Sequence, residues 1–281
     1  MNFRAAAFAT LLVLAVTMPE QRHFARTRTI TCPPSVRQCY FAADEDLWKN
    51  SRPDLGDVRI YGADGHARPY ALLTMNGRWM PVPSTVTFEE VPRQTEARLA
   101  TSSPMPIERI TLEVTDDQPD FRRSVIVRDA DGQLIVQRQI EQSHSAVGFA
   151  AAGWGPVAIN IPSSHRRELR LTVMNEDDQP LRIKSITASS IERRFFFQPA
   201  PDLRLFYGDA MVSRPIYDYA KFFSADPDAG AAVLGQPQVN PDYRPRDESG
   251  AWSERHPSLL WMALVIAVAG IALMALRQMR N

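Results

Sequence analysis

The chain has 281 residues, enough for one large domain or two small ones. Hydrophobic residues make up 44% and charged residues 23%, a composition that sustains a packed core and excludes a disordered polymer. Lys plus Arg and Asp plus Glu number 32 each, so the net charge is zero, the basic excess of a nucleic-acid binder is missing, and no nucleic-acid partner is expected.

The N-terminus opens with Met1-Asn2-Phe3-Arg4 and continues without a charge from Ala5 to Met18. A short positive segment before an apolar stretch too short to span a bilayer reads as a signal peptide over residues 1–18. Export places the following chain in an oxidising compartment. There the only two cysteines, Cys32 and Cys39, are expected to form a disulfide around Pro33 and Pro34.

From about residue 35 to 210 the sequence consists of short Val/Ile/Thr/Leu/Phe runs broken by Gly, Pro, Asn and Asp, the pattern of an all-β region. Strands are expected at Val58–Tyr61, Thr85–Phe88, Ile110–Val114, Ser124–Val127, Ala158–Ile161 and Leu169–Val173. Several alternate apolar with polar, as half-buried antiparallel strands do. Asp64-Gly65 and Asp131-Gly132 signal hairpins, and Asn175 to Pro180 signals a third turn. Helical periodicity is confined to Asp44–Asn50 and Ile216–Phe223. The expected organisation is an N-terminal β-rich region over 30–100 and a jelly-roll-like β-sandwich over 105–215.

The chemistry in these segments is sparse. Hydrolase-elbow, zinc-protease, P-loop and dinucleotide motifs are missing from the sequence, and His23, His66, His144, His165 and His256 stand singly without metal-ligand spacing. No catalytic residue, metal ligand or cofactor site is assigned. The acidic groups Asp44 to Asp46, Asp116-Asp117, Asp129 with Asp131, and Glu176 to Asp178 suit either calcium-binding loops or solvated turns. One constellation suits a saccharide: Trp154, flanked by Gly153 and Gly155, offers a flat face, and Arg166 and Arg167 offer hydrogen bonds. The competing reading folds Trp154 inward as a cap on the core.

Residues 224–256 interleave Pro227, Pro237, Pro241 and Pro245 with Gly and charges, and read as a semi-extended linker. Leu259 to Leu276 then run without a charge or a proline, so a transmembrane helix is expected over 257–277, with Trp261 at its first turn and a cytoplasmic tail at 278–281. Signal and anchor together give a single-pass protein of the bacterial inner membrane with its bulk in the periplasm.

Asp54-Leu55-Gly56-Asp57-Val58-Arg59-Ile60-Tyr61, with Asp64-Gly65 and Pro69-Tyr70-Ala71-Leu72 after it, and Leu203-Arg204-Leu205-Phe206-Tyr207-Gly208-Asp209 with Pro215-Ile216-Tyr217-Asp218, resemble the N- and C-terminal signatures of the bacterial family catalogued as domain of unknown function 3999. The resemblance implies a signal peptide, galactose-binding-like β-sandwich modules, a C-terminal helix and a polytopic inner-membrane protein as partner. It supplies no catalytic residues. The expected function is a non-enzymatic accessory protein whose sandwich binds an envelope glycan or that membrane partner; the alternative is an envelope enzyme acting on glycans, whose paired carboxylates leave no sequence signature.

Overall fold

The computed structural model describes residues 20–118, 120–143 and 155–246, together with Trp261, Met262 and Leu264. The expected signal peptide, His144, Trp154, His256, the tail at 278–281 and most of the expected anchor lie outside them. The chain divides into two compact units, Met1–Tyr243 and Arg244–Asn281. In the second unit Trp261, Met262 and Leu264 are helical and exposed. Among the described residues no helix is long and apolar enough to cross a membrane.

The first unit is built on three sheets. Strands β1 (Arg26–Thr31), β2 (Cys39–Ala42), β3 (Arg59–Tyr61) and β4 (Ala67–Arg68) flank a short helix, α1 (Glu45–Asn50). That helix starts where Asp44, in extended backbone, accepts the Leu47 N–H on its side chain, and its apolar pair Leu47 and Trp48 turns inward. The sandwich strands follow as β5 (Tyr70–Val82), β6 (Thr85–Val91), β7 (Gln94–Ala100), β8 (Ile107–Val114), β9 (Phe121–Asp129), β10 (Leu134–Gln142), β11 (Val157–Ser164), β12 (Glu168–Met174) and β13 (Ile183–Phe197).

Strands β10-β9-β12-β7-β6 form one antiparallel sheet, and β11-β8-β13, widened by β5 and β2, form the other. Alternation sets their shared interior. Ala97, Leu99, Val125, Val127, Leu169 and Leu171 from the first sheet and Ile110, Leu112, Ile159, Ile161 and Ile186 from the second belong to one buried cluster. At about 25 cal/mol per Å² of apolar surface, this interior is the main source of stability. Gly132, at φ 83°, supplies the left-handed position that closes the β9–β10 hairpin.

The expected division between residues 100 and 105 is corrected by this pairing. Strands β6 and β7, inside the expected N-terminal region, belong to the sandwich. Strand β14 (Leu203–Tyr207), inside the expected sandwich, leaves it to join β1 and β3 in a small third sheet. Strand β13 bridges the two parts: its first half pairs with β8 and its last residues with β2. Phe195, Phe196 and Phe197 are all buried there, because both faces of the strand are covered. Phe41 stacks on Phe195 with centroids 4.9 Å apart.

A second correction concerns residues 224–256. After a single turn of helix, α2 (Asp218–Lys221), the described part of the segment expected to be a linker, residues 224–246, folds back as a strap. Its strands β15 (Gly230–Ala231), β16 (Val233–Leu234) and β17 (Gln238–Val239) pair with β2, β1 and β1 respectively. The prolines punctuate short edge strands rather than preventing them. Asn240 is buried and donates from its side chain to the carbonyls of Gln21 and Phe24, at 2.9 Å each. Cys32 and Cys39 are joined as a disulfide, Cα atoms 6.2 Å apart, and the strap crosses that loop, leaving no room for a side chain at Gly230 beside Pro33 and Val36.

Candidate functional site

Of the expected Trp154, Arg166 and Arg167 constellation, Trp154 lies outside the described residues and the two arginines lie within them. Arg166 and Arg167 follow the Ser164 end of β11, in the turn that leads into β12.

At that end the loops knit together through polar side chains. Arg166 donates to Asp129 at 2.9 Å, and the other oxygen of Asp129 accepts the backbone N–H groups of Asp131 and Gln133. Burial pushes Asp129 up, but the Gln133 N–H and the Arg166 guanidinium outweigh it and hold the carboxyl below its ordinary range. Arg167 donates to the Ser102 carbonyl at 3.0 Å. Both arginines thus have structural partners. The other acidic groups are occupied likewise: Asp44 caps α1 and pairs with Arg28, Asp117 pairs with Arg182, and Asp177 and Asp178 pair with Arg93 and Arg123. Among the described residues no group of three His, Cys, Asp or Glu side chains is placed to hold a metal ion.

Beside these loops, where α1 approaches the sandwich, is a cleft of about 260 Å³. Half-buried Arg193 lines its inner wall and is held from behind by an ion pair with buried Glu108. Arg193 grips Glu108 through two hydrogen bonds of 2.5 Å, and Glu108 also accepts the Ile191 N–H at 2.7 Å. The pairing of β13 with β5 shifts register between Ile191 and Arg193, which turns Arg193 toward this end. Burial pushes Glu108 up, yet Arg193 and the Ile191 N–H more than offset it and leave the carboxyl below its ordinary value.

Trp48 stands over Arg193, with the guanidinium carbon 5.6 Å from the ring centroid, and the exposed His165 ring lies 5.8 Å from the indole. Thr74 and Ser163 complete the sandwich side. Asp54 and Arg214 close the rim, Arg214 donating to the Asp54 carbonyl at 2.7 Å. Burial raises Asp54, but the Gly56 N–H, Arg52 and Arg214 bring it below its ordinary range. A larger, open groove of about 600 Å³ between Thr29–Cys32 and Ala200–Arg204 has neither aromatic nor imidazole in its lining.

Sequence reasoning missed Trp48 and Arg193. The available signal for Trp48 was the Asp44 cap followed by the Leu47-Trp48 pair. Arg193 carried none, because the irregularity that redirects it is a property of strand pairing.

No protein-family model matches the chain, and no curated protein matches it. Among solved structures it is similar to CBM32-3 from a family 31 glycoside hydrolase of Clostridium perfringens, at 10% identity and a TM-score of 0.20 over 60% of this chain and 91% of that one. It is also similar to TmCBM61 in complex with β-1,4-galactotriose, at 12% identity and a TM-score of 0.18 over 50% and 88%. The K2 adhesin domain of Lys-gingipain matches at 10% identity and a TM-score of 0.20 over 60% and 99%.

Proposed function

We propose that the protein is a non-enzymatic accessory protein anchored in the bacterial inner membrane, whose periplasmic, galactose-binding-like sandwich holds an envelope glycan in the cleft beside Trp48 and His165. The observation that carries this reading is the cleft's make-up. An indole and an imidazole edge stand among hydroxyls and guanidinium groups in a space sized for a small polar unit, below the roughly 300–1,000 Å³ of drug-sized ligand pockets.

The carboxylates at the cleft argue for binding over cleavage. A glycosidic acid needs a raised pKa to deliver its proton. Glu108 and Asp54 are both held ionised by arginines and backbone N–H groups. Asp57 does have a raised pKa, from burial, but it is fully enclosed with both oxygens engaged.

The apolar run Leu259–Leu276 supports membrane anchoring, and the resemblance to domain of unknown function 3999 implies a polytopic partner. The two segments that carry this resemblance pair with each other as β3 and β14. The test is calorimetric titration of the full chain with muropeptides and galactosides. His165→Ala and Arg214→Ala are expected to weaken binding at least tenfold with an unchanged melting temperature. Absence of binding to any envelope glycan, or release of hydrolysed product, overturns the proposal.

A further inference from the structure

Glu108 faces inward, and its neighbour Arg109 therefore faces out, onto the solvent side of β11-β8-β13-β5. Two features of that side point to a ligand. First, Trp79 of β5 packs flat against the Arg109 guanidinium, whose central carbon is 3.7 Å from the ring centroid, and Asn160 of β11 fixes Arg109 by accepting its Nε–H at 2.8 Å. Among the described residues no carboxylate pairs with Arg109. Glu113, four positions along the same strand and on the same face, is taken by Lys184 and Ser185.

Second, the surrounding positions are small and hydroxylated. Asn160, Arg109 and Ser189 are in register across three strands, with Ala158, Thr111 and Thr187 as the next row. Ala158, Asn160 and Thr187 are exposed, and Trp79 and Arg109 half-buried. Four strands at about 4.8 Å spacing give a level strip about 14 Å across.

We propose that this face is a second saccharide-binding surface, separate from the end cleft, that takes a glycan chain bearing carboxylates. Arg109, held by Asn160, pairs with a carboxylate as a fixed cation. The side of Trp79 that Arg109 does not cover supplies the apolar surface for a ring, and Thr111, Thr187 and Ser189 exchange hydrogen bonds with its hydroxyls. The uncompensated cation selects an acidic chain over a neutral one. The surface rests on the glycan-binding reading only in its ligand class, since it shares no residue with the cleft.

The experiment is affinity electrophoresis of the full chain in gels containing polygalacturonate or, in parallel, neutral dextran. Retardation by polygalacturonate and not by dextran is expected, reduced at least tenfold by Arg109→Gln and by Trp79→Ala and weakened by added salt. Thr187→Glu, on an exposed side chain that leaves the core untouched, is expected to abolish it without changing the melting temperature. His165→Ala should leave it intact while weakening binding in the cleft at least tenfold, so each site fails on its own terms. Equal retardation by dextran, no retardation by polygalacturonate, or full retardation of the folded Arg109→Gln and Thr187→Glu proteins overturns the proposal.

Discussion

One oxygen of the fully buried Asp57 carboxylate accepts the backbone N–H of Gly208 at 2.8 Å, tying β3's approach to the end of β14. It also accepts the Asp209 N–H at 3.2 Å, and the other oxygen accepts that of Arg52 at 2.9 Å. Asp57→Ala orphans these donors and is expected to cost about 3 kcal/mol or more in chemical denaturation. Asp57→Asn keeps one accepting oxygen and should cost clearly less. Equal losses in the two variants would show that the acceptor geometry contributes nothing.

Glu108→Gln leaves the half-buried Arg193 without its counter-charge, and a loss of about 3 kcal/mol is expected at neutral pH. The folded Glu108 pKa lies below its ordinary 4.5, so its contribution is present above that value and is lost as the pH falls through the folded pKa. Stability measured from pH 7 downward should therefore fall less steeply in the variant than in the parent. A residual acid limb remains, since Asp54 is lowered as well.

The strap is expected to loosen alone. Asn240→Ala removes two buried hydrogen bonds, worth about 2 kcal/mol together. Gly230→Ala drives a methyl to within 2.9 Å of both Pro33 and Val36. Hydrogen exchange should accelerate across residues 230–240 in both variants while the amides of β8, β9 and β12 stay protected. Uniform acceleration would mean that strap and sandwich unfold as one.

Replacing both Cys32 and Cys39 by Ser should cost about 2.5 kcal/mol, the chain-entropy value for so short a loop. Melting of the parent with and without reductant, alongside the double variant, checks this. Identical melting in all three would remove the crosslink from the account.

Where a strand alternates, the sequence announced it. Ile110–Val114, Ala158–Ile161 and Leu169–Val173 fall on β8, β11 and β12, and Asp44–Asn50 on α1 with its cap. Strand β5 hid behind Gly77 and Pro81, tolerated because Gly77, at φ 84°, falls in the register shift between Thr74 and Trp79, and Pro81 lies near the end of a strand that pairs on one side only. The strap hid behind its prolines. Residues 58–65, VRIYGADG, and 125–132, VIVRDADG, are alike and suggest a duplicated half, yet they lie in different sheets, on β3 and β9, so the likeness reflects hairpin chemistry. The cleft was least legible, because Trp48, His165 and Arg193 meet only through long-range pairing that no local pattern encodes.

Strand β1 has one more consequence. It is synthesised early, yet its partners come from near the end of the described chain: Arg26 lies opposite Tyr207 on one side and Val239 on the other. The sandwich strands β5 to β13 can close among themselves while β1 waits as an open ribbon edge. The third sheet is therefore complete only once the chain has been delivered as far as Val239. A product cut short after β14 would keep its sandwich but expose one flank of β1, and such a flank is what quality-control proteases and self-association act upon.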